Sequence, residues 1–399
     1  MRILIITAAL PYPPASGGAL RAYGIIEGLS QAGHDITLMS FHDETSPEVT
    51  PLSALCRQVV TLPSPHRSRT DRVRNLLFTS QADIARRLYS PQFEQKLLEL
   101  LAQESYDIVQ FEGIEVACYL PATKQASNAA IIFDTFNAEA ELQRVIAQVD
   151  RATIRTWPKA VYSWIQSQRI AAYEGNLCRL ADAVIAVSPE DAALLAAYQP
   201  QRAVAIVPSG INTDRYLESS ETIDLGHNSL IFTGKMDYRP NVDAMMWFSE
   251  TVLPQLEDVN LTIVGQKPHP QLQALLDQDN IKLTGWVDSV LPYLHSADVY
   301  IAPLRMGSGT RLKILEAMAS GCAIVATDLA ASGLLGEARA ALWIADDPSS
   351  FAEAIRTLLA DEEKRTTLGK AARIAVQQHY DWRVLIPRLL TVYKELGLG

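Results

Sequence analysis

Short apolar runs alternate with longer amphipathic stretches along almost the whole chain. Ile3 to Thr7, Ile36 to Phe41, Gln58 to Thr61, Ile108 to Phe111, Ala130 to Phe133 and Ala183 to Val187 read as buried strands. Helical periodicity fills the gaps, first over Leu20 to Gln31, after a Pro/Gly loop that ends at Gly18. Strand, helix and strand at this spacing predict a parallel sheet. A second series follows with Val204 to Val207, Leu230 to Thr233, Asn260 to Val264, Ile281 to Thr284, Val299 to Ala302 and Ala323 to Ala326. Two series of domain size predict an α/β fold of two Rossmann-like halves facing a central cleft. Regular structure breaks at Pro200, Pro208, Gly210 and Gly226, so the linker is placed within Gln199 to Ser229. The expected domains are residues 1–205, 206–380 and a C-terminal piece, 381–399.

The densest chemistry lies between Asp298 and Leu334. An apolar strand runs into Gly307-Ser308-Gly309-Thr310, and that loop opens a helix predicted over Arg311 to Ser320, with Gly321 as its cap. Glycines let backbone N–H groups approach an anion, the helix N-terminus adds the positive end of its dipole, and Arg311 and Lys313 add full charges. Glu316 shares the helix face of Lys313. A cation for phosphate and a carboxylate for a hydroxyl-rich group then stand side by side. The competing reading is an ordinary βαβ unit with a solvated Lys313–Glu316 pair.

The chain has 399 residues, 48% of them hydrophobic, enough for more than one core. A formal charge of −10 speaks against a general polyanion binder, and no nucleic-acid partner is expected. Cys56, Cys118, Cys178 and Cys322 lack metal or CxxC spacing and read as reduced packing cysteines, which predicts a cytoplasmic protein. The start MRILIITAAL resembles a short signal peptide, but its continuation into PYPPASGG and an amphipathic helix favours a first strand. No apolar stretch approaches the ~20 residues of a spanning helix. Membrane contact is therefore expected to be peripheral, on the inner face.

Two segments are locally basic. Ser64 to Arg87 carries Arg67, Arg69, Arg72, Arg74, Arg86 and Arg87; Arg144 to Arg179 carries Arg151, Arg155, Lys159 and Arg169 among Trp157, Tyr162, Trp164 and Tyr173. They suit either an anionic lipid surface or solvated helix faces over a core. Asp277-Gln278-Asp279 matches a DxD metal-nucleotide signature but sits at a polar helix end and reads as a surface turn. The histidines show no ligand spacing, and no metal site is expected. Asp134, Asn137 and Glu139 in FDTFNAEAE stand at a strand end and could line an acceptor; a helix cap at Asn137 is the competing reading. Trp286, in TGWVD with Val287, reads either as a contact for a nucleotide base or as a packing residue.

Six segments in order carry a family resemblance: PYPPASGGALRAYGIIEGLSQAGHDITL, IVPSGINTDRY, LIFTGKMDYRPNVDAMMWF, LTIVGQKP, IKLTGWVDSVLPYLHSADVYIAP and GTRLKILEAMASGCAIVAT. Over nearly its whole length the chain resembles the retaining glycosyltransferases of the GT-B fold, of the group 1 or family 4 type. The resemblance implies a nucleotide-diphosphate sugar as donor, an N-terminal acceptor domain, a C-terminal donor domain and a last helix, Trp382 to Leu396, crossing back to the first domain. It implies no cofactor and no bound metal. Gly17 and Gly18 correspond to the loop that meets the donor phosphate across the cleft. Glu316 matches the ribose-binding Glu, whereas the partner Glu seven residues earlier is replaced by Ser308, so the backbone of Gly309 and Thr310 must carry more of the binding. The usual diphosphate Arg is Lys235, the usual Lys falls on Pro240 or Asn241, and charge could come instead from Arg311 or Lys313. Where the N-terminal domain often presents a His, VQFEG offers Gln110 and Glu112.

The implied reaction transfers a sugar to a saccharide, lipid-linked or small-molecule acceptor with retention. The departing phosphate accepts the acceptor's proton while cations and N–H groups hold its growing charge. Lys235, Glu112 and Lys313 are the catalytic candidates; Gly17, Gly18, Ser308, Gly309, Thr310, Arg311, Glu316, Trp286 and Val287 are the donor candidates. A sugar-nucleotide epimerase on the same fold and a non-catalytic sugar-nucleotide binder are the alternatives.

Overall fold

The structure is a computed structural model that describes all residues except 15, 43–49, 152–156, 218–220, 276–277, 308–309 and 399. It divides into two compact units: Met1–Ser209 together with Leu385–Gly399, and Gly210–Val384.

The first unit holds a seven-stranded parallel sheet. Its strands are β1 (Arg2–Thr7), β2 (Asp35–His42), β3 (Gln58–Pro63), β4 (Ile108–Glu112), β5 (Ala130–Asp134), β6 (Ala183–Ala186) and β7 (Ala205–Ile206), in the order β3-β2-β1-β4-β5-β6-β7. The N-terminal apolar run is thus an inner strand paired on both sides. Its residues Ile3 to Ile6 are fully buried, as a sheet covered by helices on both faces requires. The second unit holds a six-stranded parallel sheet of β8 (Ser229–Thr233), β9 (Asn260–Val264), β10 (Ile281–Leu283), β11 (Val299–Ala302), β12 (Ile324–Ala326) and β13 (Trp343–Ile344), ordered β10-β9-β8-β11-β12-β13. Each sheet carries its own apolar core.

Two assignments change. The run Val204 to Val207 was expected to open the second series, yet Ala205 and Ile206 pair with Ile185 and Ala186 and close the first sheet. β13 escaped the sequence pattern altogether. Both are two-residue strands, too short to show a period, and only their pairing partners define them.

The last helix, Trp382–Glu395, begins in the second unit and belongs from Leu385 onward to the first. Ile386 packs against Gly28 of the helix Gly17–Gln31 so closely that a Cβ at Gly28 would lie 2.3 Å from its Cγ1. No helix among the described residues is long and apolar enough to cross a membrane.

Candidate functional site

In an open parallel sheet, ligands bind where neighbouring strands send their connections in opposite directions. In the second unit that point lies between β8 and β11. The loop after β8 starts with Gly234, whose N–H continues the ladder to the Val264 carbonyl at 2.9 Å. Its φ is +149°, and a Cβ there would lie 2.6 Å from both Asn241 Nδ2 and Lys313 Nζ. Glycine is required because two side chains from separate elements converge on its bare face.

Lys313 is the second residue of the helix Leu312–Ala319, which follows the loop after β11. Its Nζ donates to Asn241 Oδ1 at 2.6 Å and stands 4.4 Å from the centre of the Phe232 ring. Asn241 Nδ2 in turn donates to the Lys235 carbonyl at 2.8 Å. Burial pushes the Lys313 ammonium down to about 7, against the opposing pull of Glu316. Glu316 Oε1 accepts from the Tyr216 hydroxyl at 3.0 Å. Burial raises its carboxyl above the usual range, while Tyr216 and Lys313 act to lower it. Tyr216 closes the 3₁₀ turn Thr213–Tyr216, whose start is tied down by Asp381: Thr213 donates to Asp381 Oδ2 from Oγ1 at 2.5 Å and from its N–H at 3.2 Å.

The other donor-side candidates are placed as follows. Lys235 is exposed at the head of the loop after β8, and Thr310 and Arg311 immediately precede the helix of Lys313. That helix starts one residue later than expected, with Arg311 in extended conformation at its N-cap. Gly321 ends it with φ +76°, and the N–H groups of Gly321 and Cys322 close the last turn on Met318 and Ala317. Ser308 and Gly309 lie outside the described residues, as does Asp277 of the DxD-like turn. Trp286 is 66% exposed after the edge strand β10, and its neighbour Val287 packs on the core.

In the first unit the reversal falls between β1 and β4. Gly17 and Gly18 are not loop residues as expected. They form the first turn of the helix Gly17–Gln31, with Ser16 as N-cap accepting from the Ala19 N–H at 3.3 Å. The Phe136 ring, after β5, lies 3.1 Å from where a Gly18 Cβ would stand and 3.2 Å from that of Gly113 after β4. One aromatic ring thereby joins three carboxyl-end segments.

Beneath them lies a buried polar cluster. Glu112 and Asp134 end β4 and β5 as register partners. Arg21 Nη2 donates to both Asp134 oxygens at 2.8 Å, with both side chains fully buried. Asn137 Nδ2 donates to Glu139 Oε1 at 3.2 Å. The helix Glu139–Arg151 takes its first acceptors from elsewhere in the unit: Asp191 accepts from Ala138 N–H at 2.9 Å and Glu174 from Glu139 N–H at 2.8 Å. Burial lifts both Glu139 and Glu174 to about 7.

Several basic residues of the two segments that suggested a lipid-facing surface have partners within the protein, some of them in exposed ion pairs. Arg67 pairs with Asp83, Arg87 with Glu115 and Arg144 with Glu141, and Arg169 donates to the Asn75, Leu76 and Gln81 carbonyls. Residues 152–156 lie outside the description, as do the side chains of Arg69, Arg72, Arg151 and Lys159. Arg21, Tyr216, Phe232 and Tyr393 were missed by sequence reasoning. Each is an unremarked polar or aromatic residue in a regular element, and its partner is distant in the chain.

Two Rossmann-like units, each with polar residues gathered at its strand reversal, define an α/β protein of GT-B architecture. Residues 15–215 match the family model described as Glycosyltransferase Family 4, and residues 227–361 match that of the Glycosyl transferases group 1. The chain belongs to Glycosyltransferase Family 4.

The phosphatidyl-myo-inositol mannosyltransferase of Mycobacterium leprae is 29% identical over 205 residues, 48% of this chain and 53% of the relative. The chain thus spans about half the length of this curated relative. An uncharacterized 44.6 kDa protein in the cps region of Klebsiella pneumoniae is 21% identical and matches 95% of this chain and 96% of its own. Among solved structures, sucrose-phosphate synthase from Thermosynechococcus elongatus superposes with a TM-score of 0.76 at 18% identity, over 100% of this chain and 99% of its own. HepE from Anabaena, solved with UDP and glucose, gives a TM-score of 0.68 at 14% identity, over 99% of this chain and 100% of its own. At these identities the two structures attest the fold.

Proposed function

We propose that the protein transfers a sugar, with retention and without a bound metal or cofactor, from a nucleotide-diphosphate sugar to a saccharide, lipid-linked or small-molecule acceptor. The observation that carries this reading is the position of Lys313 Nζ, 2.6 Å from Asn241 Oδ1 and packed on Gly234 at the strand reversal of the second unit. Asn241 is one of the two positions where the family resemblance expects a diphosphate-binding lysine. Here the cation arrives at the same place from another element.

A leaving diphosphate gains charge as the glycosidic bond breaks, so a cation held in a partly desolvated site favours the transition state over the ground state. Lys313, exposed Lys235 and the N–H groups at the start of the helix Leu312–Ala319 form the proposed diphosphate cradle. Glu316 would take the ribose through the oxygen not occupied by Tyr216. Acceptor binding is assigned to the loops after β4 and β5 in the first unit, where Asn137 and Glu139 lie.

The test is release of nucleotide diphosphate from a panel of nucleotide sugars, with and without candidate acceptors, and the anomeric configuration of any product by NMR. Release that requires an acceptor supports transfer. Conversion of the donor to another sugar nucleotide would instead favour the epimerase, and binding without turnover the non-catalytic reading.

A further inference from the structure

The first unit contains a polar chain that reaches from the C-terminal helix to the strand ends. The Tyr393 hydroxyl donates to Gln110 Oε1 at 2.5 Å, and Gln110 Nε2 donates to Glu112 Oε1 at 2.5 Å. Tyr393 and Gln110 are fully buried and Glu112 is 1% exposed. Water therefore does not compete for these groups. In sequence Tyr393 lies 283 residues from Gln110, and only the return of residues 385–399 to the first unit brings them together.

The charges in this cluster do not balance if every acid is ionised. Arg21, from the helix Gly17–Gln31, is the cation that faces it, and its Nη2 is committed to both oxygens of Asp134 on β5. The neighbouring residue on β1 is Thr7, in register with Glu112 and uncharged. The C-terminal helix contributes the neutral phenol of Tyr393. Among the described residues Glu112 thus receives one amide hydrogen and no cation hydrogen bond, and its Oε2 has no hydrogen-bond partner. Two buried carboxylates against one guanidinium would leave an uncompensated charge out of water, which is among the costlier arrangements a fold can contain.

We propose that Tyr393 is a positioning residue: through Gln110 its hydroxyl fixes the orientation of the Glu112 carboxyl beneath the loops that follow β4 and β5, where burial keeps that group a neutral acid and Arg21 neutralises Asp134 alone. Burial, with Asp134 adding to it, lifts the Glu112 carboxyl well above the usual carboxylate range, against the opposing pull of Arg21 and of the Gln110 hydrogen bond. A phenol that donates to the amide oxygen also polarises the amide N–H and strengthens its bond to Glu112, which holds the carboxyl in place while pulling against its protonation. The C-terminal helix thereby reads out on the acceptor side of the first unit. Glu112 supports that side from below, and its burial keeps it from meeting substrate as a base. This role rests on the transfer reaction proposed above, whereas the protonation state does not.

The experiment is infrared difference spectroscopy of the full chain with carbon-13-labelled glutamate. At pH 7, above the usual carboxylate range, the spectrum of the wild type minus Glu112→Gln should show the C=O stretch of a protonated acid, and this band should weaken as pH is raised further. Absence of the band at pH 7, with the variant folded, overturns the proposal.

Tyr393→Phe removes only the hydroxyl. The Glu112 band should then move to higher frequency, as a carbonyl that accepts a weaker hydrogen bond does. Donor turnover should fall roughly fivefold at unchanged donor KM, the rate equivalent of one neutral hydrogen bond. An unmoved band would remove Tyr393 from the relay. The infrared arm needs no substrate, so failure to find a nucleotide-sugar donor would count against the transfer reaction and leave this test standing.

Discussion

Lys313 Nζ lies 2.6 Å from Asn241 Oδ1, although 72 residues separate them. The two come from the helices Arg239–Trp247 and Leu312–Ala319, which follow β8 and β11, neighbours in the second sheet whose chain connections diverge. A cation at this point depends on the pairing of those strands, and Gly234 leaves the space for it.

The Lys313 ammonium is pushed down to about 7 by burial, so its charge fades as pH rises through neutrality. If the charged form holds the diphosphate, kcat/KM for the donor should fall above about pH 7, because this ratio reports the free enzyme. Lys313→Arg should move that alkaline limb upward. A profile that stays flat from pH 6 to 9 in the wild type would remove Lys313 from the cradle.

Glu316→Gln should weaken donor binding by about 1.5–3 kcal/mol, the scale of one charge-assisted hydrogen bond. Tyr216→Phe should cost less, about 1 kcal/mol, since it loosens the carboxylate without removing it. Calorimetry with the nucleoside diphosphate measures both. Equal affinity for wild type and Glu316→Gln would return Glu316 to a pairing role with Tyr216.

Lys235→Ala should lower turnover at saturating donor by about 100-fold, the effect of deleting one transition-state donor. Lys235 is exposed, so the fold should be unaffected. An altered acceptor KM with unchanged kcat would assign it elsewhere.

Gly234→Ala would place a methyl group 2.6 Å from Lys313 Nζ and Asn241 Nδ2, at a φ of +149° that side chains rarely adopt. A loss of about 1–3 kcal/mol in denaturant unfolding is expected, together with weaker donor binding as the lysine is displaced. Wild-type stability and affinity would show that the lysine moves without consequence.

Glu174 is raised to about 7 by burial, so the folded chain holds its proton where the unfolded chain has released it. This stabilising contribution is full below the ordinary carboxylate pKa and is lost as pH rises through about 7. Urea midpoints measured from pH 5 to 8 should decline less steeply for Glu174→Gln than for the wild type. Parallel slopes would show that the proton is not held.

The apolar pattern along the chain was enough to place most of both sheets and their rough limits. Buried parallel strands such as Ile3 to Thr7 and Val299 to Ala302 are continuous apolar runs, and helical periodicity between them leaves little freedom of topology. The order of the segments also marked the family, and Lys313 and Glu316 stood out because spacing on one helix is a local property. Tertiary structure decided what those residues meet. Tyr216 on Glu316, Asn241 on Lys313, Arg21 on Asp134 and Tyr393 on Gln110 all join elements far apart in the chain, and β7 and β13 were too short to declare their sheets. Local pattern encodes which face of an element is buried. The partner waiting there depends on strand order and on the return of the last helix, which no single segment contains.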